Sequence, residues 1–333
     1  MKFSLSTEQR DFASSLRDLL ADAKTPAVIR SWGGGELDPG RAVLRQLADA
    51  GVTGLAISER FGGLDAHPVD LVVAFIEIGR AGVPGPLIET AAAIPVLLQK
   101  LPDDSLAQRW LPGIADGTVL ATLVSVPSVP RALDGDITDL ALRIDGDKLE
   151  QVTATAKLDS VDAARRLFDV DNASLIVQGG EVTSAGAAAF DFGALACAAQ
   201  LLGAGHTLLD TSTEYAKNRV QFGRPIGQFQ AIKHHLADAM VALEMAAPLL
   251  YGAAISVAND APTASRDVSA AKVACGDAAY LTARKALQVH GAIGYTAEYD
   301  LSLWLTKVRA LITAWGTPAD HRARVAESLR SVG

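Results

Sequence analysis

Arg219-Val220-Gln221-Phe222-Gly223-Arg224-Pro225-Ile226-Gly227, continued by Phe229-Gln230-Ala231-Ile232, separates two long apolar periodicities. Before it, Ala198, Leu202, Leu209 and Ala216 form a helical stripe. After it, Ile232, Leu236, Met240, Leu243, Ala247 and Leu250 form another, and a third runs through Val273, Tyr280, Ala283 and Leu287. Long amphipathic helices joined by short loops predict an antiparallel bundle. Pro248 predicts a kink in its second helix, and Gly203 and Gly205 inside the first stripe predict close helix packing.

Upstream the period changes. From about Thr118 to Ala188 the runs are short and alternate, as in Leu140, Leu142 and Ile144, with turn signals at Asp134-Gly135 and Asp145-Gly146. This predicts a small β unit, with an irregular stretch at 163–168 that fits no element. The first third returns to helix. Ser6 and Gln9 have capping-box spacing ahead of Phe12, Leu16, Leu19 and Leu20, so a helix is expected from Thr7. Pro39 and Gly40 precede a stretch carrying Val43, Leu44 and Leu47 that Gly51 closes, and Leu71, Ala74, Phe75 and Ile78 mark a further helix. Gly33-Gly34-Gly35 follows no strand and is expected to be a flexible loop. The fold class is therefore mainly α with a small central β domain. The expected units are a helical domain at 1–117, a reduced β domain at 118–188 and a helical bundle at 189–333.

Composition narrows the function. With 333 residues, 49% hydrophobic and 20% charged, the chain reads as globular, with no apolar run expected to span a membrane. Glu8 and Asp11 interrupt the apolar core a signal peptide needs. A net charge of −8 argues against nucleic acid as the main partner. Cys197 and Cys275 read as small buried apolar side chains in a reducing cytoplasm. The six histidines show no metal-ligand spacing, and no Gly-x-Ser-x-Gly elbow suggests acyl transfer.

Several strings, taken in order, resemble the FAD-dependent acyl-CoA dehydrogenase family over nearly the whole chain. Ser58-Glu59-Arg60-Phe61-Gly62-Gly63 is similar to the family's Pro-Glu-x-Tyr/Phe-Gly-Gly turn. Leu111 to Gly117 resembles its passage into the β domain. The segment from Arg219 to Gly227, and Gln288-Val289-His290-Gly291-Ala292-Ile293-Gly294-Tyr295, resemble its C-terminal motifs. The resemblance implies an N-terminal helical domain, a reduced β-barrel and a C-terminal four-helix bundle. It also implies that Arg219, Gln221, Phe222, Gly223, Gln230, Gln288, Val289, His290, Gly291, Ala292 and Thr317 contact FAD, mainly the ADP half of a cofactor seated in a neighbouring subunit. A guanidinium fork suits a pyrophosphate. Plainer readings stay open: a surface ion pair for Arg219, and helix capping or interhelical bonding for Gln230 and Gln288. Ala292 replaces a family glycine.

The family's reaction needs a carboxylate base and a polarised flavin. Where most members have Glu-Gly-Thr this chain has Trp315-Gly316-Thr317, and an indole cannot take up a proton at neutral pH. A minority place the base at the start of the first bundle helix, a position counted here to Gly193. Asp191, two residues away, turns to another face. The flavin cradle of Thr-Glu-Pro and Gly-Ser-Asp strings is replaced by Ser125-Val126-Pro127 and Ser128-Val129-Pro130-Arg131. The resemblance therefore implies a subunit without its own base or cradle, which completes the FAD site of a full-length homologue in an α2β2 assembly. That enzyme would act on fatty or steroid acyl-CoA thioesters and pass electrons to an electron-transfer acceptor. Two alternatives stay open: a flavin-free scaffold of the same fold, and a self-sufficient flavoenzyme with Asp191 as base. Trp315 has a plain reading too, as filler of a vacated acyl pocket.

Overall fold

The computed structural model describes residues 5–330; the outer limits of the first and last expected units, Met1 and Gly333, lie outside the described residues. The chain opens on α1 (Thr7–Asp22), where Ser6 Oγ accepts from the Gln9 N–H at 3.2 Å and Gln9 Oε1 accepts from the Ser6 N–H at 3.0 Å. Both halves of the expected capping box are thus made. α2 (Thr25–Gly34), α3 (Asp38–Asp49), α4 (Pro68–Ala81), α5 (Ile94–Gln99) and α6 (Ser105–Ala115) complete the first unit. A π-helical turn, Glu89–Ala93, leads into α5. α2 corrects the expected glycine loop. Gly33 and Gly34 are helical, and only Gly35, at φ +92°, turns left-handed to end the helix.

Five strands follow: β1 (Ala121–Ser125), β2 (Ala132–Leu133), β3 (Leu140–Asp145), β4 (Lys148–Leu158) and β5 (Leu167–Gln178). They form one sheet in the order β1-β3-β4-β5-β2, with β1 parallel to β3 and the other pairs antiparallel. The ends of the sheet approach each other, since the Leu133 N–H donates to Thr122 Oγ1 at 3.0 Å. The irregular stretch before β5 carries the buried Asp162, Ala164 and Arg166. The sheet ends at Gln178. Residues 180–188, expected within the β unit, are instead the opening turns of α7 (Gly180–Asn218). Their Ala- and Gly-rich composition lacks both the alternation of a strand and the larger apolar residues that mark a helix.

After α7 come a hairpin of β6 (Val220–Gln221) and β7 (Arg224–Pro225), then α8 (Gln230–Ala258), α9 (Ala264–His290), α10 (Leu301–Thr313) and α11 (Pro318–Arg330). α8 runs on through Pro248, so the proline does not end the helix. α7 is the axis of the molecule: it packs on α4 from the first unit and on α8, α9 and α10. A Cβ on Gly203 would stand 1.9 Å from the Ile76 carbonyl oxygen, and one on Gly79 would stand 2.2 Å from that of Gln200. α4 and α7 therefore touch backbone to backbone.

The expectation of no membrane-length apolar run is corrected, because α7 and α8 are each long and apolar enough by length and composition. α7 is mostly buried within the protein. α8 leaves Met240, Val241, Met245 and Leu249 at least half exposed along one side.

Candidate functional site

The hairpin after α7 is the most exposed of the motifs. Phe222 at φ +52° and Gly223 at φ +80° form its two-residue turn, the conformation a tight hairpin requires. Gly223 meets that demand freely, whereas Phe222 is held in a strained conformation and is 93% exposed. The arm is stiffened from its base. The Phe222 and Phe229 rings meet edge to face with centroids 6.2 Å apart, and the Arg224 guanidinium lies 4.3 Å from the Phe229 ring centre. Arg219, at the C-cap of α7, and Gln221 are exposed, and the Arg219 guanidinium has no ion pair among the described residues.

The other predicted clamp residues except Thr317 gather at the same end. The Tyr215 and His290 rings stack at 4.2 Å and lock the C-termini of α7 and α9 together. This sets Gln288, on the last turn of α9, and the exposed Gly291 and Ala292 at the end that carries the hairpin. Gln230 joins them as the first residue of α8. Two predicted contacts face inward: Val289 and His290 are buried, with His290 Nδ1 2.8 Å from the Ala286 carbonyl. Only their backbone is offered to a ligand. Thr317 lies elsewhere, since its hydroxyl donates to Asp320 Oδ2 at 2.7 Å and accepts the Asp320 N–H at 3.2 Å, capping α11.

Trp315 belongs to a second locus, about a third of the way along α7 from its N-terminus. Its ring lies on Gly193, where a Cβ would stand 2.3 Å from both Cε3 and Cζ3 of the indole. The two positions at which the resemblance implies a base are thus filled by one side chain. Trp315 is 1% exposed, and its Nε1–H donates to Glu89 Oε1 at 3.2 Å. Glu89, on the π-helical turn, is buried; that burial raises its pKa, against the lowering effects of Arg165 and its hydrogen bonds, and its Oε2 has no partner. Trp315 itself holds a left-handed φ of +55°. From Gly193 to Tyr215 is 22 residues, or about 33 Å along the helix axis. The arm and the Trp315 turn are therefore separate places.

Three buried groups, Lys272, Ser269 and His321, and the partly exposed Arg324 fix this turn. The Lys272 ammonium donates to the Leu311 and Ile312 carbonyls, each at 3.1 Å, closing the end of α10. The Arg324 guanidinium donates to Ser269 Oγ at 3.1 Å; Ser269 Oγ lies 3.1 Å from His321 Nδ1, and His321 Nε2 lies 2.8 Å from the Trp315 carbonyl. A neutral His321 with its proton on Nε2 completes the chain. Arg324 also holds Asp191 Oδ1 at 2.7 Å, and Ser265 donates to Asp191 Oδ2. Both Asp191 oxygens are thus engaged, and the residue lines a different cleft, between α7 and the α8–α9 loop.

Burial pushes the His321 pKa down to about 4, so this group stabilises the fold above its ordinary value near 6.5 and the contribution is lost as pH falls towards 4. His206, also pushed by burial to about 4, acts in the same sense. Unfolding free energy is expected to fall between pH 7 and pH 5, and His321→Gln should flatten part of that slope by an amount on the order of 1–2 kcal/mol. Urea titrations at the two pH values measure it; an unchanged slope would remove His321 from the network.

Glu89 was not singled out by the sequence motifs, although a lone carboxylate in the apolar run from Val83 to Leu98 is a visible signal. Arg165 and Arg309, which line a cavity in front of Trp315, carry no such signal. No metal-binding group of His, Cys, Asp and Glu occurs among the described residues, and both cysteines are buried and free.

Residues 6–118 match the family model for the acyl-CoA dehydrogenase N-terminal domain, and residues 183–330 match that for the C-terminal domain. The acyl-CoA dehydrogenase IpdE2 of Mycolicibacterium smegmatis is 30% identical over 96% of this chain and 98% of its own. The chain belongs to the acyl-CoA dehydrogenase family. Solved structures agree on the fold. The ChsE4-ChsE5 complex from Mycobacterium tuberculosis superposes with a TM-score of 0.86 at 21% identity, covering 99% of each chain. A structure described as PigA with FAD and proline gives 0.88 at 19% identity over 100% of each. FAD is thus a cofactor found on this fold, and the two matched acyl-CoA dehydrogenase domains flank the sheet, which lies mostly between them.

Proposed function

We propose that this acyl-CoA dehydrogenase chain is a non-catalytic subunit that completes the FAD site of a homologous catalytic subunit, in a cytoplasmic α2β2 enzyme acting on acyl-CoA thioesters. One observation carries the reading. The base positions are plugged by Trp315 packed on Gly193, while the Arg219 arm stands exposed beyond Asn218, 25 residues or about 38 Å away along α7. An arm so remote from the chain's own cavity suits a cofactor seated elsewhere.

Whether FAD fits this chain is answered differently at the two ends. At the arm, an unpaired guanidinium and open backbone at Gly223 and Gly291 can cradle a pyrophosphate, with no atom within 4 Å of a Cβ placed on either glycine. At the Trp315 turn the indole occupies the space a carboxylate base needs, and its one hydrogen bond is spent on Glu89. Bound FAD supplies the acceptor for the substrate's β-hydrogen. The residues of this chain hold and orient its ADP half and exclude water around the arm. Phe222 and the exposed apolar side of α8 at Met240, Val241, Met245 and Leu249 offer a surface for the partner. The fold's likeness to the ChsE4-ChsE5 complex, a complex of two named chains, supports a heteromer.

The test is purification of the chain alone and co-expressed with a full-length homologue, followed by flavin absorbance and acyl-CoA-dependent bleaching. Flavin should appear only in the complex, at one per heterodimer. Flavin retained by the chain alone, one per subunit, would favour the self-sufficient enzyme; a complex without flavin would favour the scaffold.

A further inference from the structure

The strings standing in for the flavin cradle and for the base meet in one cavity. Ser128, Val129, Pro130 and Arg131 form one wall and Trp315 another, around a volume of about 430 Å³. That is the size range of small-molecule sites. Its chemistry is cationic in a protein of net charge −8. Arg131, Arg165 and Arg309 line it, with Asp159 the one carboxylate among its lining residues. Arg131 has a partner outside, Asp169 at 3.1 Å. The guanidiniums of Arg165 and Arg309 have neither a hydrogen bond nor an ion pair among the described residues, and Arg165 is partly buried.

We infer that this cavity binds an organic oxyanion, a carboxylate or phosphate head on an apolar body, where Arg165 and Arg309 hold the head. Two unpaired planar forks on one cavity match the paired oxygens of such a head. An inorganic ion would leave the apolar lining of Val129, Pro130, Leu167 and Ala310 uncovered. The indole of Trp315 closes the inner side, so the ligand sits in front of the plug and not in the space behind it. The inference rests on the proposed reading that this chain keeps no flavin of its own, since a flavin here would fill the same cavity.

The experiment is calorimetric titration of the co-purified complex with decanoate, n-decyl phosphate and decanol, which share a body and differ in the head. At least one of the two anions should bind saturably once per copy of this chain, and their ranking tells carboxylate from phosphate. Decanol should bind about ten-fold more weakly or not at all, and Arg165→Gln and Arg309→Gln in this chain should each weaken the anion about ten-fold. Flavin content and melting temperature should stay at parental values; Arg309 is exposed, so its variant tests the site even if Arg165→Gln folds poorly. Equal binding of decanol, affinity unchanged in Arg309→Gln, or no saturable anion binding at millimolar concentration overturns the inference. Two flavins per heterodimer would instead overturn the parent reading.

Discussion

Gly193→Ala is expected to destabilise the protein by about 3 kcal/mol, the upper range for overpacking a core, although it adds one methyl group. That methyl would stand 2.3 Å from two carbons of the Trp315 ring, far inside van der Waals contact. The ring cannot step aside. It is tied through Nε1–H to Glu89, lies 6.1 Å from the Phe190 ring, and hangs from a backbone turn held by His321 and Lys272. Trp315→Ala alone should cost about 3–5 kcal/mol through the cavity it opens and the indole donor it takes from the buried Glu89 carboxyl. The double variant should cost at least about 1 kcal/mol less than the sum, because the added methyl then enters vacated space. Urea midpoints with unchanged slope measure all three. If Gly193→Ala melts like the parent, or the two losses simply add, the positions are not interlocked and the plug is a coincidence of packing. The same geometry bears on function, because a carboxylate returned to position 193 meets the indole before it meets any ligand.

Much of the architecture was legible because it is local. Ser6 and Gln9 announce the start of α1, the stripe from Ile232 to Leu250 announces α8, and Asp145-Gly146 announces the β3–β4 turn, with Gly146 at φ +61°. Each rests on contacts between near neighbours, which spacing records. The arm was legible as a motif, while its hairpin form and its exposure came only with the structure. What spacing cannot record is complementarity between distant residues. Gly193 and Trp315 each read as a lost base, yet only packing makes them a single event, a small residue vacated for a large one. Asp191 looked a candidate base on its chemistry, and it took α11 folding back to give it Arg324. α2 was hidden because a glycine triplet has poor helix propensity, which burial of Val28, Ile29 and Trp32 overrides. The start of α7 was hidden because Gly180–Ala189 is rich in small residues, whose packing value depends on what lies opposite.

Arg219→Ala in a co-purified complex is expected to weaken FAD retention about 10- to 100-fold, the range for losing a charge-assisted, two-pronged contact to phosphate. The wild-type complex should elute from gel filtration with one flavin per heterodimer, whereas the variant should elute largely colourless and recover absorbance when FAD is added in excess. Arg219→Lys should fall between, since an ammonium keeps the charge and loses the fork. Assembly itself should survive. The guanidinium makes no ion pair among the described residues, and the apolar side of α8 and the edge-to-face Phe222–Phe229 arm are untouched by the change. This separates a cofactor contact from an interface contact: Phe222→Ala, which removes a 93% exposed ring, should lower heterodimer stability more than it lowers flavin affinity. Unchanged flavin content in Arg219→Ala would return Arg219 to the plainer role of a charge at a helix end, and the arm would then be a docking element without a hand in the cofactor site.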